Sequence, residues 1–140
     1  MTSPFGGGFP DKTVTAYETI GTSTSTTRGT TLTAGSAHVK GSWVQLVAST
    51  ARKSVFMIII PSRKSASADY FVDIGTGGAG SETTVLADIY DAAGAALGEF
   101  TKPLSVFLKI DAGIRVAART QSTTSTATIE ITALLGGSPG

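Results

Sequence analysis

The strongest constraint on the fold is an alternation of apolar and polar residues with a period of two. In the last third of the chain it covers residues 106–110, 114–118 and 127–133. Such alternation is typical of strands that bury one face of an antiparallel sheet. No long segment repeats its apolar residues at the helical spacing. The sequence therefore predicts an all-β protein.

Further strands are predicted where β-branched and aromatic residues cluster between turn residues. These strands cover residues 13–17, 43–48, 54–60, 70–74 and 83–86. The run at 54–60 is the most apolar and is predicted to be the central strand, ended by Pro61. Only residues 88–97 could hold a helical turn, and Gly94 disfavours one there.

About eight strands without a crossover helix predict a single antiparallel β-sandwich, either jelly-roll-like or immunoglobulin-like. The three strands of the last third are predicted to form an antiparallel meander. Between the first two of them, residues 111–113 (Asp-Ala-Gly) have the length of a hairpin loop. Gly113 is predicted to adopt the left-handed conformation that such a loop requires.

A chain of 140 residues fits one domain. The sandwich is predicted to occupy residues 13–135, between a flexible arm at residues 1–12 and a frayed tail at residues 136–140. The arm carries Phe5 and Phe9, separated by glycines, which so short a segment cannot bury by itself. We expect these two side chains to lie at a subunit interface, with the arm docked on a neighbouring chain.

Composition excludes several functional classes. Charged residues make up only 15%, so 22 Thr and 15 Ser must supply much of the polar surface. A net charge of +1 without a basic stripe predicts no nucleic-acid partner. The lack of cysteine excludes disulfides, thiol catalysis and thiolate zinc sites. The first ten residues lack a secretory signal and the longest apolar run is too short to cross a bilayer, so we expect a soluble protein made in the cytoplasm, with no membrane partner.

A glycine pattern at residues 75–80 matches the dinucleotide-binding spacing G-x-G-x-x-G and follows a predicted strand. Pyrophosphate binding requires a helix to begin directly after the glycines. Residues 81–86 are strand-like instead, so the segment is predicted to be a loop that joins two strands.

Other polar candidates are equally weak. His38 is the single histidine, and a surface position is favoured over a catalytic or metal-binding one. A carboxylate pair or calcium site could use Asp69 with Asp73, or Asp88 with Asp91, but solvated carboxylates are the ordinary interpretation. No catalytic, cofactor-binding or metal-binding residue is predicted, and we do not expect an enzyme.

Two basic pairs flank the most apolar strand, Arg52-Lys53 and Arg63-Lys64. They could face an acidic partner, but they are interpreted as charges that keep a sticky strand from aggregating. Trp43 could stack on a sugar, and it is interpreted instead as a core residue.

Three stretches of strand and turn carry a family resemblance: residues 41–51 (GSWVQLVASTA), 73–82 (DIGTGGAGSE) and 113–121 (GIRVAARTQ). Together they resemble small β-sandwich virion proteins of tailed bacteriophages, of the head-decoration, head-fibre-base or minor structural type. The resemblance covers roughly residues 40–133.

The resemblance implies a virion structural protein without catalysis or cofactors. It implies a symmetric homo-oligomer, with a trimer favoured, that attaches to other virion subunits such as the major capsid protein after assembly in the host cytoplasm. A different class of function stays open: a receptor- or carbohydrate-binding module of a phage fibre or tail, with Trp43, Tyr70 or Tyr90 stacking on sugars.

Overall fold

The computed structural model describes residues 17–92 and 103–137. Within these ranges the chain forms nine β-strands and no helix. The strands are β1 (Tyr17–Ile20), β2 (Thr30–Thr33), β3 (Val44–Val47), β4 (Ser54–Lys64), β5 (Tyr70–Thr76), β6 (Thr83–Asp91), β7 (Leu104–Ile110), β8 (Val116–Ser122) and β9 (Thr128–Gly136). The predicted all-β class is therefore confirmed.

The strands form two antiparallel sheets, as a sandwich requires. The first sheet has the order β1-β9-β4-β7, and β2 pairs with the other end of β9. The second sheet has the order β3-β8-β5-β6. In the described part of the chain only β5 and β6 are sequential neighbours that pair with each other, and most other connections cross between the sheets. This is jelly-roll connectivity, because an immunoglobulin sandwich would contain several sequential hairpins.

The core lies between the sheets, where the period-two pattern places the apolar side chains. On β9 the buried members are Ile129, Ile131, Ala133 and Leu135, and on β5 they are Tyr70, Val72 and Ile74. Full burial of one such aliphatic side chain contributes about 1.5–3 kcal/mol. The alternation in the sequence therefore identifies the inner face of each of these strands.

The predicted meander is wrong. β7 and β9 lie on opposite sides of β4, and β8 belongs to the second sheet between β3 and β5. Residues 111–113 cross between the sheets instead of closing a hairpin. Thr50 fixes this crossing, since its hydroxyl donates to the Asp111 carbonyl at 2.6 Å and its own carbonyl accepts from Gly113 N–H at 2.8 Å. Gly113 does adopt the predicted left-handed conformation, with φ +79°.

Two strand boundaries also differ from prediction. Pro61 does not end β4, which continues to Lys64 with Pro61 opposite Ile131 of β9. The pairing of β4 with β7 stops at Ile59, opposite Leu104. Among the described residues, Pro61 therefore lies where β4 is paired on one side only, and a proline is tolerated there because its missing N–H breaks no ladder hydrogen bond.

The second difference concerns residues 88–91, where a helical turn was possible. They lie in β6, and only the register shift near Asp88 interrupts the strand. Gly94 and the rest of that segment lie outside the described residues, as do the predicted arm with Phe5 and Phe9 and residues 138–140 of the predicted tail. β9 extends one residue into that tail, to Gly136.

Lys64 is a buried cation at the end of β4, with 2% of its surface exposed. Its ammonium donates to the Ala92 carbonyl at 2.7 Å and lies 3.1 Å from Asp91 Oδ2. The ion pair joins the first sheet to β6 of the second sheet. The gatekeeper interpretation is therefore wrong for Lys64, while its neighbour Arg63 is exposed.

Lys64→Met is expected to lower the free energy of unfolding by about 2–3 kcal/mol, because it leaves the Asp91 carboxylate and the Ala92 carbonyl without their cation. The matched control is Arg63→Met, which removes an exposed charge from the adjacent position and should cost less than about 1 kcal/mol. Urea unfolding at pH 7 measures both. Equal effects of the two substitutions would show that the buried pair does not hold the sheets together.

Candidate functional site

Four residues stand in register across the outer face of the first sheet. Tyr17 of β1 is opposite Gly136 of β9, Gly136 is opposite Phe56 of β4, and Phe56 is opposite Phe107 of β7. We call Tyr17, Phe56 and Phe107 the aromatic row. Because all four strands contribute one position each, the row runs perpendicular to the strands across this face.

The row is open to solvent at both ends. Phe107 is 94% exposed and Tyr17 is 57% exposed, while Phe56 is half-buried. The Tyr17 and Phe56 rings meet edge to face, with centroids 6.0 Å apart. Gly136 permits this contact, because a Cβ atom there would lie 2.2 Å from the Phe56 ring. The Phe56 ring therefore leans toward Tyr17.

A shallow apolar depression lies on the Phe107 side of Phe56. It is lined by Phe56, Ser105, Val106 and Phe107. On β4 the outward side chains next to it, Ile58 and Ile60, are also apolar and half-buried. A contiguous exposed apolar patch on a protein surface is typical of a site that binds a partner.

The aromatic row follows from the local sequence of β4. The strand is central in the first sheet, between β9 and β7, as predicted. Its unbroken apolar run supplies Met57 and Ile59 to the core and leaves Phe56 and Ile58 on the outer face. Sequence reasoning missed this surface. The available signal was Phe107, a large aromatic at a position of β7 where the alternation calls for a polar residue.

A cluster of charges occupies the outer face of the second sheet, centred on Asp73. This carboxylate is 1% exposed. Its Oδ2 accepts from Lys40 Nζ at 2.6 Å and from Arg119 Nε at 2.8 Å, and its Oδ1 accepts from the backbone N–H of Asp88 at 2.8 Å. Asp88 sits there with φ +55°, at the irregularity in β6.

The pKa of Asp73 reflects two opposing effects. Burial alone would raise it, but the hydrogen bonds from Lys40, the Asp88 N–H and Arg119 outweigh burial and hold the pKa below its ordinary value. The hydrogen bond to Asp73 raises the pKa of Lys40, against the opposing effect of its own burial. Asp73 thus stays ionised at neutral pH and fixes the backbone of β6.

Trp43 is not a core residue, contrary to the sequence interpretation. It lies half-buried on the outer face, next to the bare backbone of Gly75, where a Cβ atom would lie 2.7 Å from the indole ring. The Arg119 guanidinium stacks over the ring, 4.4 Å from its centroid. Trp43 therefore positions Arg119 against Asp73.

The glycine loop of residues 75–80 holds a carboxylate of its own chain. Glu82 Oε2 accepts from the Gly80 N–H at 3.0 Å, and Glu82 Oε1 accepts from Arg115 at 2.8 Å. β6 follows the loop, as the strand-like sequence predicted. The loop amide that a phosphate would use is thus already engaged.

The remaining candidates are not brought together. His38 is exposed in a turn, and Asp69 accepts from the Tyr90 hydroxyl at 3.1 Å rather than pairing with Asp73. Tyr70 is fully buried and cannot reach a sugar. Residues 17–92 and 103–137 contain no group of three acidic or histidine side chains arranged for a metal ion, and no helix there is long and apolar enough to cross a membrane.

Asp73→Asn is expected to lower the free energy of unfolding by about 2–4 kcal/mol at pH 7, because Lys40 and Arg119 lose their counter-charge. Because the pKa of Asp73 is lower in the folded state, its ionised carboxylate stabilises the fold at pH values above the unfolded carboxyl pKa of about 4. This stabilisation is lost as the pH falls through the folded-state pKa of Asp73. The difference in stability between wild type and variant should therefore shrink as the pH falls below about 4 and through the lowered folded-state pKa of Asp73.

The control for this substitution is Asp111→Asn, which makes the same change at an exposed loop carboxylate. It should alter stability by less than about 0.5 kcal/mol. Urea unfolding from pH 2 to pH 8 measures both variants. A pH-independent cost for Asp73→Asn would contradict the assigned role of its charge.

Comparison with known proteins gives little. No family model and no curated protein matches the sequence. A solved structure of infectious bursal disease virus, Gx strain, is similar to this chain with a TM-score of 0.43 and 12% identity. The match covers 90% of this chain but 34% of the other, so the chain spans about a third of that protein. At this level of similarity, the likeness assigns neither a fold family nor a function to the chain.

Proposed function

We propose that this chain is a structural subunit of a tailed-bacteriophage virion, as a capsid-decoration or head-fibre adaptor protein that acts by protein–protein assembly. The aromatic row is the observation that carries this proposal. Its partners would be further copies of the chain and other virion subunits such as the major capsid protein. The protein would assemble in the host cytoplasm and reside in the particle.

The energetics of the row favour a protein partner. Burial of one Phe side chain contributes about 1.5–3 kcal/mol, and Phe107 has nearly all of that contribution still available at 94% exposure. Binding energy at protein interfaces concentrates in a few such aromatic anchors. A chain with only 15% charged residues offers little electrostatic repulsion to close neighbours.

The polar clusters support a binding role over a catalytic one. Asp73 is neutralised by Lys40 and Arg119, and Glu82 by Arg115. These carboxylates are therefore committed to structural ion pairs rather than poised for proton transfer, which requires a pKa near the working pH. Jelly-roll domains serve both virus capsids and lectins, so the fold alone does not decide between assembly and sugar binding.

A second candidate function, glycan binding, is favoured by Tyr90. This residue is 57% exposed and lies beside Phe71, with ring centroids 5.3 Å apart. The pair offers an aromatic surface on the outer face of the second sheet. Trp43 contributes less to such a surface, because Arg119 already stacks on its ring.

Phe107→Ser is expected to weaken association, with light scattering showing at least a tenfold rise in the dissociation constant of the oligomer, because one anchor is worth about 1.4 kcal/mol or more. The control is Val39→Ser, which removes an exposed apolar side chain from a loop away from the row. Mass spectrometry of the purified parent particle should also detect the chain. A particle without it would contradict the virion assignment.

For the second candidate, a glycan array is expected to stay silent with the wild-type protein. Specific binding that disappears in Tyr90→Ala, with urea stability unchanged, would favour the glycan-binding module. Phe107→Ser serves as the control here, since it lies on the other sheet and should leave any glycan signal intact.

A further inference from the structure

We propose that the aromatic row receives the first ten residues of a neighbouring copy of the chain, with Phe5 and Phe9 packed against it. The inference rests on the proposed function, because it names the contact through which subunits associate. It commits to one occupant, the N-terminal segment of a second copy.

The dimensions of the row match the spacing of the two phenylalanines. Three strand spacings of about 4.8 Å separate Tyr17 from Phe107, so the row is about 14 Å wide. Phe5 and Phe9 are four residues apart, and an extended chain covers about 13–14 Å over that distance. Two aromatic side chains of one extended segment can therefore contact both ends of the row.

The sequence between the phenylalanines also fits the surface. Residues 6–8 are all glycine, so no side chain separates that backbone from a sheet face beneath it. The depression lined by Phe56, Ser105, Val106 and Phe107 has a volume of about 230 Å³ and an almost wholly apolar lining. It offers one of the two rings a concave apolar seat.

The position of Tyr17 favours a neighbouring chain over the same chain. β1 begins in the row at Tyr17, and its register with β9 runs from Gly136 to Ala133. Only seven residues separate Phe9 from Tyr17, so a segment of the same chain would have to turn within them to lie across the row. A segment of a second copy has no such constraint, and we therefore assign the segment to a neighbouring copy.

The lack of cysteine in this chain makes disulfide trapping a clean test. We expect a mixture of a Phe9→Cys chain and a tagged Ser105→Cys chain to form a heterodisulfide under mild oxidation. The control is Ser67→Cys, an exposed position beyond the opposite end of β4, which should trap at least tenfold less Phe9→Cys chain. Equal yields at the two positions would overturn the proposal.

A double variant, Phe9→Cys with Ser105→Cys, separates the two chain arrangements. Dilution with cysteine-free wild-type protein should lower its intermolecular disulfide yield, as expected for a contact between copies. An intrachain disulfide that persists on dilution would overturn the proposal in favour of the same chain. The proposal would also be overturned if neither the mixture of single-cysteine chains nor the double variant formed a disulfide.

Phe107→Ser provides a readout that does not depend on cysteine geometry. Placed in the Ser105→Cys chain, it should reduce trapping of Phe9→Cys at least tenfold, while Val39→Ser should not. Deletion of residues 1–10 should weaken association at least as much as Phe107→Ser. The combination should be no worse than the deletion alone, because the deletion already removes the segment that Phe107 would contact. If the effects of the deletion and of Phe107→Ser on the dissociation constant were additive, the contact between residues 1–10 and Phe107 would be contradicted.

The outcome is distinguishable from failure of the proposed function. If the chain is present in the particle but the cysteines do not react, only the docking proposal falls. If the cysteines react between copies but the particle lacks the chain, the virion assignment falls and the contact remains a property of the isolated protein.

Discussion

The pairing of β4 with β9 is the constraint on which the rest of the structure depends. Its register runs from Phe56 opposite Gly136 to Lys64 opposite Ile129. On the inner side it aligns the side chains that fill the core, and on the outer side it places Gly136 beside Phe56. A slip of one residue would exchange the inner and outer faces of a strand. The same register therefore determines both the stability of the sandwich and the aromatic surface.

Charge serves a different purpose in this molecule. With only 15% charged residues, the chain commits several of its charges to buried pairs. Lys64 joins the two sheets at one end, and Asp73 holds β6 where its register shifts. Buried ion pairs add little net stability compared with apolar packing, yet they are costly to break singly. These ion pairs therefore fix the positions of β4 and β6 more than they stabilise the folded chain.

The sequence pattern predicted the faces of the strands but not their partners. Alternation identified Ile129, Ile131 and Val72 as core residues, because side-chain direction is a local property. Residues 111–113 have hairpin length and the expected Gly113 conformation, yet they join different sheets, since pairing depends on the whole chain. Lys64 was interpreted as a charge that keeps the apolar strand from aggregating. Its burial could not be predicted, because it depends on a pair with Asp91, which is distant in sequence.

The aromatic row escaped prediction for the same reason, as Phe56 and Phe107 meet only through the β4–β7 register. The outer faces of the two sheets nonetheless differ in the kind of side chain that they expose. The second sheet presents ion pairs whose charges are already matched, and association there would have to desolvate them for little gain. The first sheet presents aromatic area whose burial is favourable and needs no matching charge. That difference favours the first sheet as the surface for the proposed association of copies.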